Sequence, residues 1–126
     1  MCIRDSDRLI ARNRAAGLNV SLNIRGEHKA LSPGVDQAAY RILQEALTNA
    51  VRHGEGNAEM EVAFEAQAVQ LTVTNPTRPD RVPSGGGHGI VGMRERAALL
   101  GGGLTATGGD EVFRVTAELP YNSGRP

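Results

Sequence analysis

The stretch from Glu59 to Asn75 alternates twice. Met60, Val62 and Phe64 recur at every second position; after a short turn, Val69, Leu71 and Val73 do the same. A period of two belongs to a strand with one face buried and the other wet. Two such runs separated only by a short turn predict a hairpin. That limits the folds open to the chain. A doubly wound parallel sheet needs repeated strand–helix alternation, and adjacent strands break it.

Helical and strand patterns flank the hairpin. Residues 7–16 read as a short helix stopped by Gly17, and Leu18, Val20, Leu22 and Ile24 then alternate as a strand. A loop over 26–34 leads to the strongest helix, 35–53, whose stripe Ala39, Leu43, Ala46, Leu47 and Ala50 has helical spacing and whose stop is Gly54. Residues 76–87 (PTRPDRVPSGGG) hold three prolines and three glycines, so regular structure is excluded. A loop of that length is expected to be a lid or binding loop. A helix over 90–100 follows, stopped by Gly101, Gly102 and Gly103; strand-like runs over 104–107 and 112–119 flank a Gly-Gly-Asp turn. The order predicts an α+β fold, a sandwich with a mixed sheet covered by helices on one face.

At 126 residues the chain has room for one domain with one core. Its formal net charge is +0, which suggests no nucleic-acid partner. No apolar run approaches the length of a membrane span. The single cysteine, Cys2, excludes an internal disulfide, and the three histidines lack zinc-ligand spacing. Thirteen of the 14 basic residues are arginines, as a high-GC bacterial genome would give. Residues 1–6 (MCIRDS) back-translate to a sequencing-adapter end, so they are expected to be an artefact, with the domain over 7–120 and a frayed tail over 121–126.

Three features carry chemistry. Gly87, Gly89 and Gly92 match the dinucleotide pattern G-x-G-x-x-G, but a Pro-rich loop stands where a strand should lead in, and no Lys follows for a P-loop. What survives is a glycine-rich helix start, whose free N–H groups favour an anion, or a simple linker. Within QEALTNAVRH, Glu45 and Asn49 are i, i+4 neighbours on a ridge shared with Arg41 and His53. Such oxygens beside a buried stripe suit Mg²⁺; the plain alternative is a solvated face with an Arg41–Glu45 ion pair. Asn75, closing a strand at the lid, either caps a turn or hydrogen-bonds a base.

Taken together, QEALTNAVRH resembles the N box of the GHKL ATPases and GHGIVGMRERAALLGG resembles their second glycine box. More narrowly, the chain resembles the catalytic ATP-binding domain of sensor histidine kinases that pair with NarL/LuxR-type response regulators. RAAGLNVSLNIRGE and FRVTAELP fit the same pattern, so the resemblance spans about residues 8–120. It implies the Bergerat-type two-layer α/β sandwich with a mostly antiparallel sheet. It implies ATP and Mg²⁺, with Asn49 as the metal ligand and Glu45 polarising a metal-bound water or the nucleophile. Arg52 and His53 would lie near the phosphates or lid. Gly87, His88, Gly89, Ile90, Gly92 and Met93 would wrap the triphosphate. Asn75 stands where most relatives carry the Asp that accepts from the adenine amine, and Thr116 matches a late-strand threonine near the adenine.

There is a departure at the first glycine box: the usual D-x-G-x-G is replaced by Asn75-Pro76-Thr77-Arg78-Pro79. A neutral amide accepts a weaker hydrogen bond than a carboxylate, so weaker or less selective ATP binding is expected. The resemblance also implies a phosphoacceptor histidine on an upstream dimerisation domain of a homodimeric, membrane-anchored parent, with this domain cytoplasmic and by itself monomeric. His28, His53 and His88 occupy positions unsuited to that role, so autophosphorylation of this chain is not expected. An anti-sigma-factor-like serine kinase, a gyrase-class ATPase and a degenerate partner-binding module are the alternatives of the same fold.

Overall fold

The computed structural model describes residues 3–53, 55–76, 87–108 and 111–121, and of residues 3–6, 53 and 87–89 the backbone alone. In chain order the elements are α1 (Ile3–Ala15), β1 (Asn19–Arg25), α2 (Pro33–His53), β2 (Asn57–Phe64), β3 (Ala68–Pro76), α3 (Gly87–Leu99), β4 (Gly103–Gly108) and β5 (Val112–Pro120). The expected succession of helices and strands is found. The lid sequence, residues 77–86, the Gly109-Asp110 part of the turn and residues 122–126 lie outside the described residues.

The five strands form one sheet in the order β1-β2-β3-β5-β4. β1 and β2 are parallel, which requires a crossover, and α2 supplies it. The remaining pairs, β2–β3, β3–β5 and β4–β5, are antiparallel. The expected hairpin is β2–β3, with Met60 opposite Val73 and Phe64 opposite Val69.

Register puts the apolar residues on one face. Val20 pairs with Ala58, Leu71 with Ala117, and Ala106 with Val115. The three helices cover this face: α1 contacts β1, α2 contacts β2, β3 and β5, and α3 contacts β4 and β5. The other face is polar, with Ser21, Glu59, Thr74 and Arg114 in neighbouring strands. The helix stripe is wider than the sequence reading gave. Val35, Ala38 and Ile42 join Ala39, Leu43, Ala46, Leu47 and Ala50 in the core. Leu43 and Leu47 are wholly buried, each contributing about 1.5–3 kcal/mol of hydrophobic stabilisation.

Helix ends follow their capping chemistry. At the end of α1 the Leu18 N–H donates to the Asn13 carbonyl and the Gly17 N–H to Arg14, and Gly17 has φ +97°. The same pattern closes α3, where the Gly102 N–H donates to Ala97 and the Gly101 N–H to Ala98. Both are Schellman motifs, satisfying carbonyls the helix leaves orphaned. α2 starts at Pro33 rather than at residue 35, because proline suits the first helical position and the Asp36 N–H closes the turn on Ser32. α1 starts at Ile3 and α3 at Gly87, each earlier than periodicity indicated.

Tyr121 corrects the expected frayed tail. Its carbonyl accepts from the Ser32 N–H, its hydroxyl donates to the Glu65 carbonyl, and the Lys29 Nζ lies 5.2 Å from its ring centroid. This residue is anchored from three sides by segments distant in sequence.

Candidate functional site

α2 presents two different flanks beside its buried stripe. At about 100° per residue, Asn49 lies next to Ile42 on one border of the stripe, and Glu45 lies one step further out. Asn49 is accordingly half-buried and Glu45 exposed. The two stand one turn apart on one ridge, as their i, i+4 spacing required. The alternative Arg41–Glu45 ion pair does not form. Arg41 instead donates to the Gln44 Oε1 at 3.3 Å, which leaves the Glu45 carboxylate facing solvent. Arg52 is also exposed, and the His53 side chain lies outside what is described.

Asn75 continues the inward series Val69, Leu71, Val73 on β3. Strand alternation therefore points a carboxamide into the helix-covered face, where it is 2% exposed. Burying an amide is costly unless its polar atoms are matched. Its Nδ2 donates to the Pro76 carbonyl at 3.3 Å. That uses one donor and turns Oδ1, an acceptor, the other way. The same Pro76 carbonyl accepts from the Glu55 N–H at 3.3 Å. The end of β3 is thereby tied to the chain just past α2, so Asn75 sits beside the C-terminal end of the helix that carries Asn49.

α3 packs against α2. Gly87 and Gly89 lie inside its first turn, not before it. Ile90 is half-buried against the core. An added Cβ at Gly92 would meet nothing within 4 Å, so packing does not demand glycine there. Of His88 only the backbone is described.

Two expected contacts need correction. Thr116 pairs with Thr72 and Thr105, between the inward-facing Val115 and Ala117. It therefore points to the uncovered face of the sheet, away from Asn49 and Asn75. The Met93 side chain is 1% exposed and sits in the core, so only its backbone can face a ligand. Both errors were avoidable, since alternation places Thr116 outward and the i, i+4 pair Met93 and Ala97 marks the buried face of α3.

No group of three or more His, Cys, Asp or Glu side chains that could hold a metal occurs among the described residues. Asn49 with Glu45 thus offers a partial oxygen set. Such a set suits an ion like Mg²⁺, which keeps waters and is completed by substrate phosphates.

No family model matches the chain. It is 38% identical over 95 residues to the sensor histidine kinase YxjM of Bacillus subtilis, an alignment covering 71% of this chain and 22% of that protein. The chain thus spans about a fifth of that relative's length. Among solved structures it is similar to the histidine kinase AdeS of Acinetobacter baumannii, with a TM-score of 0.73 at 14% identity over 94% of this chain and 64% of that one. It is also similar to the histidine kinase domain of the blue-light activated histidine kinase from Erythrobacter litoralis EL346, with a TM-score of 0.68 at 17% identity over 93% of this chain and 63% of that one. The two-layer fold is that of histidine kinase domains, and the sequence is related to a segment of a sensor histidine kinase.

Proposed function

We propose that this chain is the ATP-binding catalytic domain of a sensor histidine kinase, presenting the γ-phosphate of Mg·ATP to a histidine on another domain of its parent protein. The observation that carries this reading is the buried Asn75 amide, with its acceptor oxygen turned from Pro76, beside the end of the helix that bears Glu45 and Asn49.

The roles follow from the chemistry of the side chains. Asn75 Oδ1 accepts from the exocyclic amine of adenine. Asn49 Oδ1 is a metal ligand, and the Glu45 carboxylate orients a water or the incoming nucleophile. Mg²⁺ when bound neutralises phosphate charge. Gly87, Gly89 and Gly92 let phosphates approach the first turn of α3, whose free N–H groups favour an anion. Arg52, His53, His88, Ile90 and the Met93 backbone line the approach to the phosphates. Phosphoryl transfer rests on positioning and electrostatic stabilisation, which fits a site with no covalent nucleophile.

The partners of this reading are an upstream dimerisation domain with the acceptor histidine and a NarL/LuxR-type response regulator, in a homodimeric parent. No described helix is long and apolar enough to cross a membrane; a cytoplasmic placement beneath a membrane-anchored sensor is part of the proposal. Isothermal titration with Mg·ATP tests it. Saturable binding that Asn49→Ala removes supports the reading. Absence of binding favours a degenerate partner-binding module. Incubation with ATP is expected to leave His28, His53 and His88 unphosphorylated.

A further inference from the structure

α2 has a second functional flank. Tyr40 lies nine residues before Asn49, about 900° around the helix and so on its opposite side. There α1 and α2 frame a groove lined by Arg8, Arg12 and Arg41. Gln37, Gln44 and Tyr40 supply neutral hydrogen-bonding groups between the guanidiniums, and Asp36 is the one carboxylate among the lining residues. The groove carries three positive charges against one negative on a chain whose net charge is +0. The cations are therefore concentrated, not part of a generally basic surface.

Packing accounts for the helix pair but not for the arginines. α1 buries Leu9, Ile10 and Asn13, while Arg8 and Arg12 lie exposed on the flank beside them. At i, i+4 they repel each other, a cost of a few tenths of a kcal/mol, about 0.2–0.5. None of the three arginines lies within ion-pair distance of a carboxylate among the described residues, where the recorded pair is Arg25–Glu61. Arg41 is held by the Gln44 Oε1, which keeps its guanidinium over the groove.

We propose that this groove docks an acidic segment of a partner protein, a helix or strand presenting carboxylates about one helical turn apart. Planar guanidiniums favour bidentate carboxylate pairing, and the amides and phenol suit peptide groups between the carboxylates. The patch is one groove long, too local for the regular phosphate track of a nucleic acid. Complementary charge of this kind mainly sets orientation and association rate. The site faces away from Asn49, so docking and nucleotide binding are compatible, and neither depends on the other being correct.

The test uses the full chain and a fluorescent alanine-based helical peptide with Glu pairs at i, i+4, beside the same peptide with Gln. The Glu peptide is expected to bind. Arg8→Glu with Arg12→Glu lowers its affinity about tenfold or more, and raising ionic strength to about 0.15 M, where screening acts beyond about 8 Å, weakens it. Amide shifts in NMR titration fall on Gln37, Tyr40 and Gln44, and Mg·ATP affinity is unchanged. Arg8→Gln with Arg12→Gln serves where charge reversal disturbs folding, and it too must lose affinity. Equal binding of the Glu and Gln peptides overturns the proposal, as does unchanged affinity in the arginine variants. Tighter binding of a single-stranded oligonucleotide of equal charge overturns it in favour of nucleic acid.

Discussion

At the β2–β3 turn, one end of the sheet is closed by the protein's own groups. The Lys29 Nζ donates to the Glu65 and Ala66 carbonyls at 3.4 and 3.1 Å, and Tyr121 donates to Glu65 as well. The His28 ring lies 5.0 Å from that of Phe64, and Gly26, at φ +83°, lets the backbone pass against the Phe64 carbonyl. At the other end stands Asn75, buried with one donor matched. Near it come the exposed Glu45 and the uncrowded Gly92. One end satisfies its polar groups internally; the other keeps capacity for something from outside. Substitutions should therefore break folding at the first and binding at the second.

The largest expected effect is at the closed end. Gly26→Ala combines a left-handed backbone with a Cβ driven into the Phe64 carbonyl, costing about 3 kcal/mol or more. A fall in the urea midpoint measures it, and an unchanged midpoint breaks the contrast. At the open end, Asn49→Ala should lower Mg·ATP affinity about tenfold to a hundredfold, roughly 1.4–2.7 kcal/mol, while the melting temperature barely moves. Calorimetry and a thermal melt on one sample would separate the two.

Asn75→Asp sits between these extremes. A carboxylate accepts more strongly from an amine, so the preference for ATP over GTP should rise. The variant also loses the donor to Pro76 and buries a charge facing that carbonyl, destabilising the fold by about 1–3 kcal/mol. Nucleotide titrations identical to wild type would remove Asn75 from the base site. Gly92→Ala should act in opposite directions. With nothing near its Cβ, it gains about 0.5–1 kcal/mol of helix stability but weakens nucleotide binding; Gly89→Ala should also weaken it. A stabilised variant with full affinity would show that glycine there serves neither end.

The smallest effect concerns pH. Burial first, and the Glu65 charge second, raise the Tyr121 phenol above its ordinary value of 10.0. The folded state holds that proton more tightly, so the contribution is complete below about pH 10. It is lost as pH rises through the raised value. Melts across that range should decline more steeply for wild type than for Tyr121→Phe.

Much of this was legible in the chain. Met60, Val62 and Phe64 gave β2 because a period of two fixes a buried face wherever the strand goes. Gly17 and Gly101 ended their helices because the left-handed cap is a local demand. The Glu45–Asn49 ridge followed from i, i+4 spacing alone. The misreadings divide by cause. Thr116 was assigned by likeness against its own strand alternation. Tyr121 could not have been read locally, because Ser32, Lys29 and Glu65 reach it from separate parts of the sequence.

The sequence by itself determined the elements, their buried faces and the composition of the Asn49 ridge, since periodicity and capping act within one turn or one strand. Only the tertiary structure decided that β5 enters between β3 and β4, that Pro76 ties Asn75 to the end of α2, and that Arg8 and Arg12 share a groove with Arg41. Those are choices between pairs of surfaces, made by shape and charge after the local elements exist.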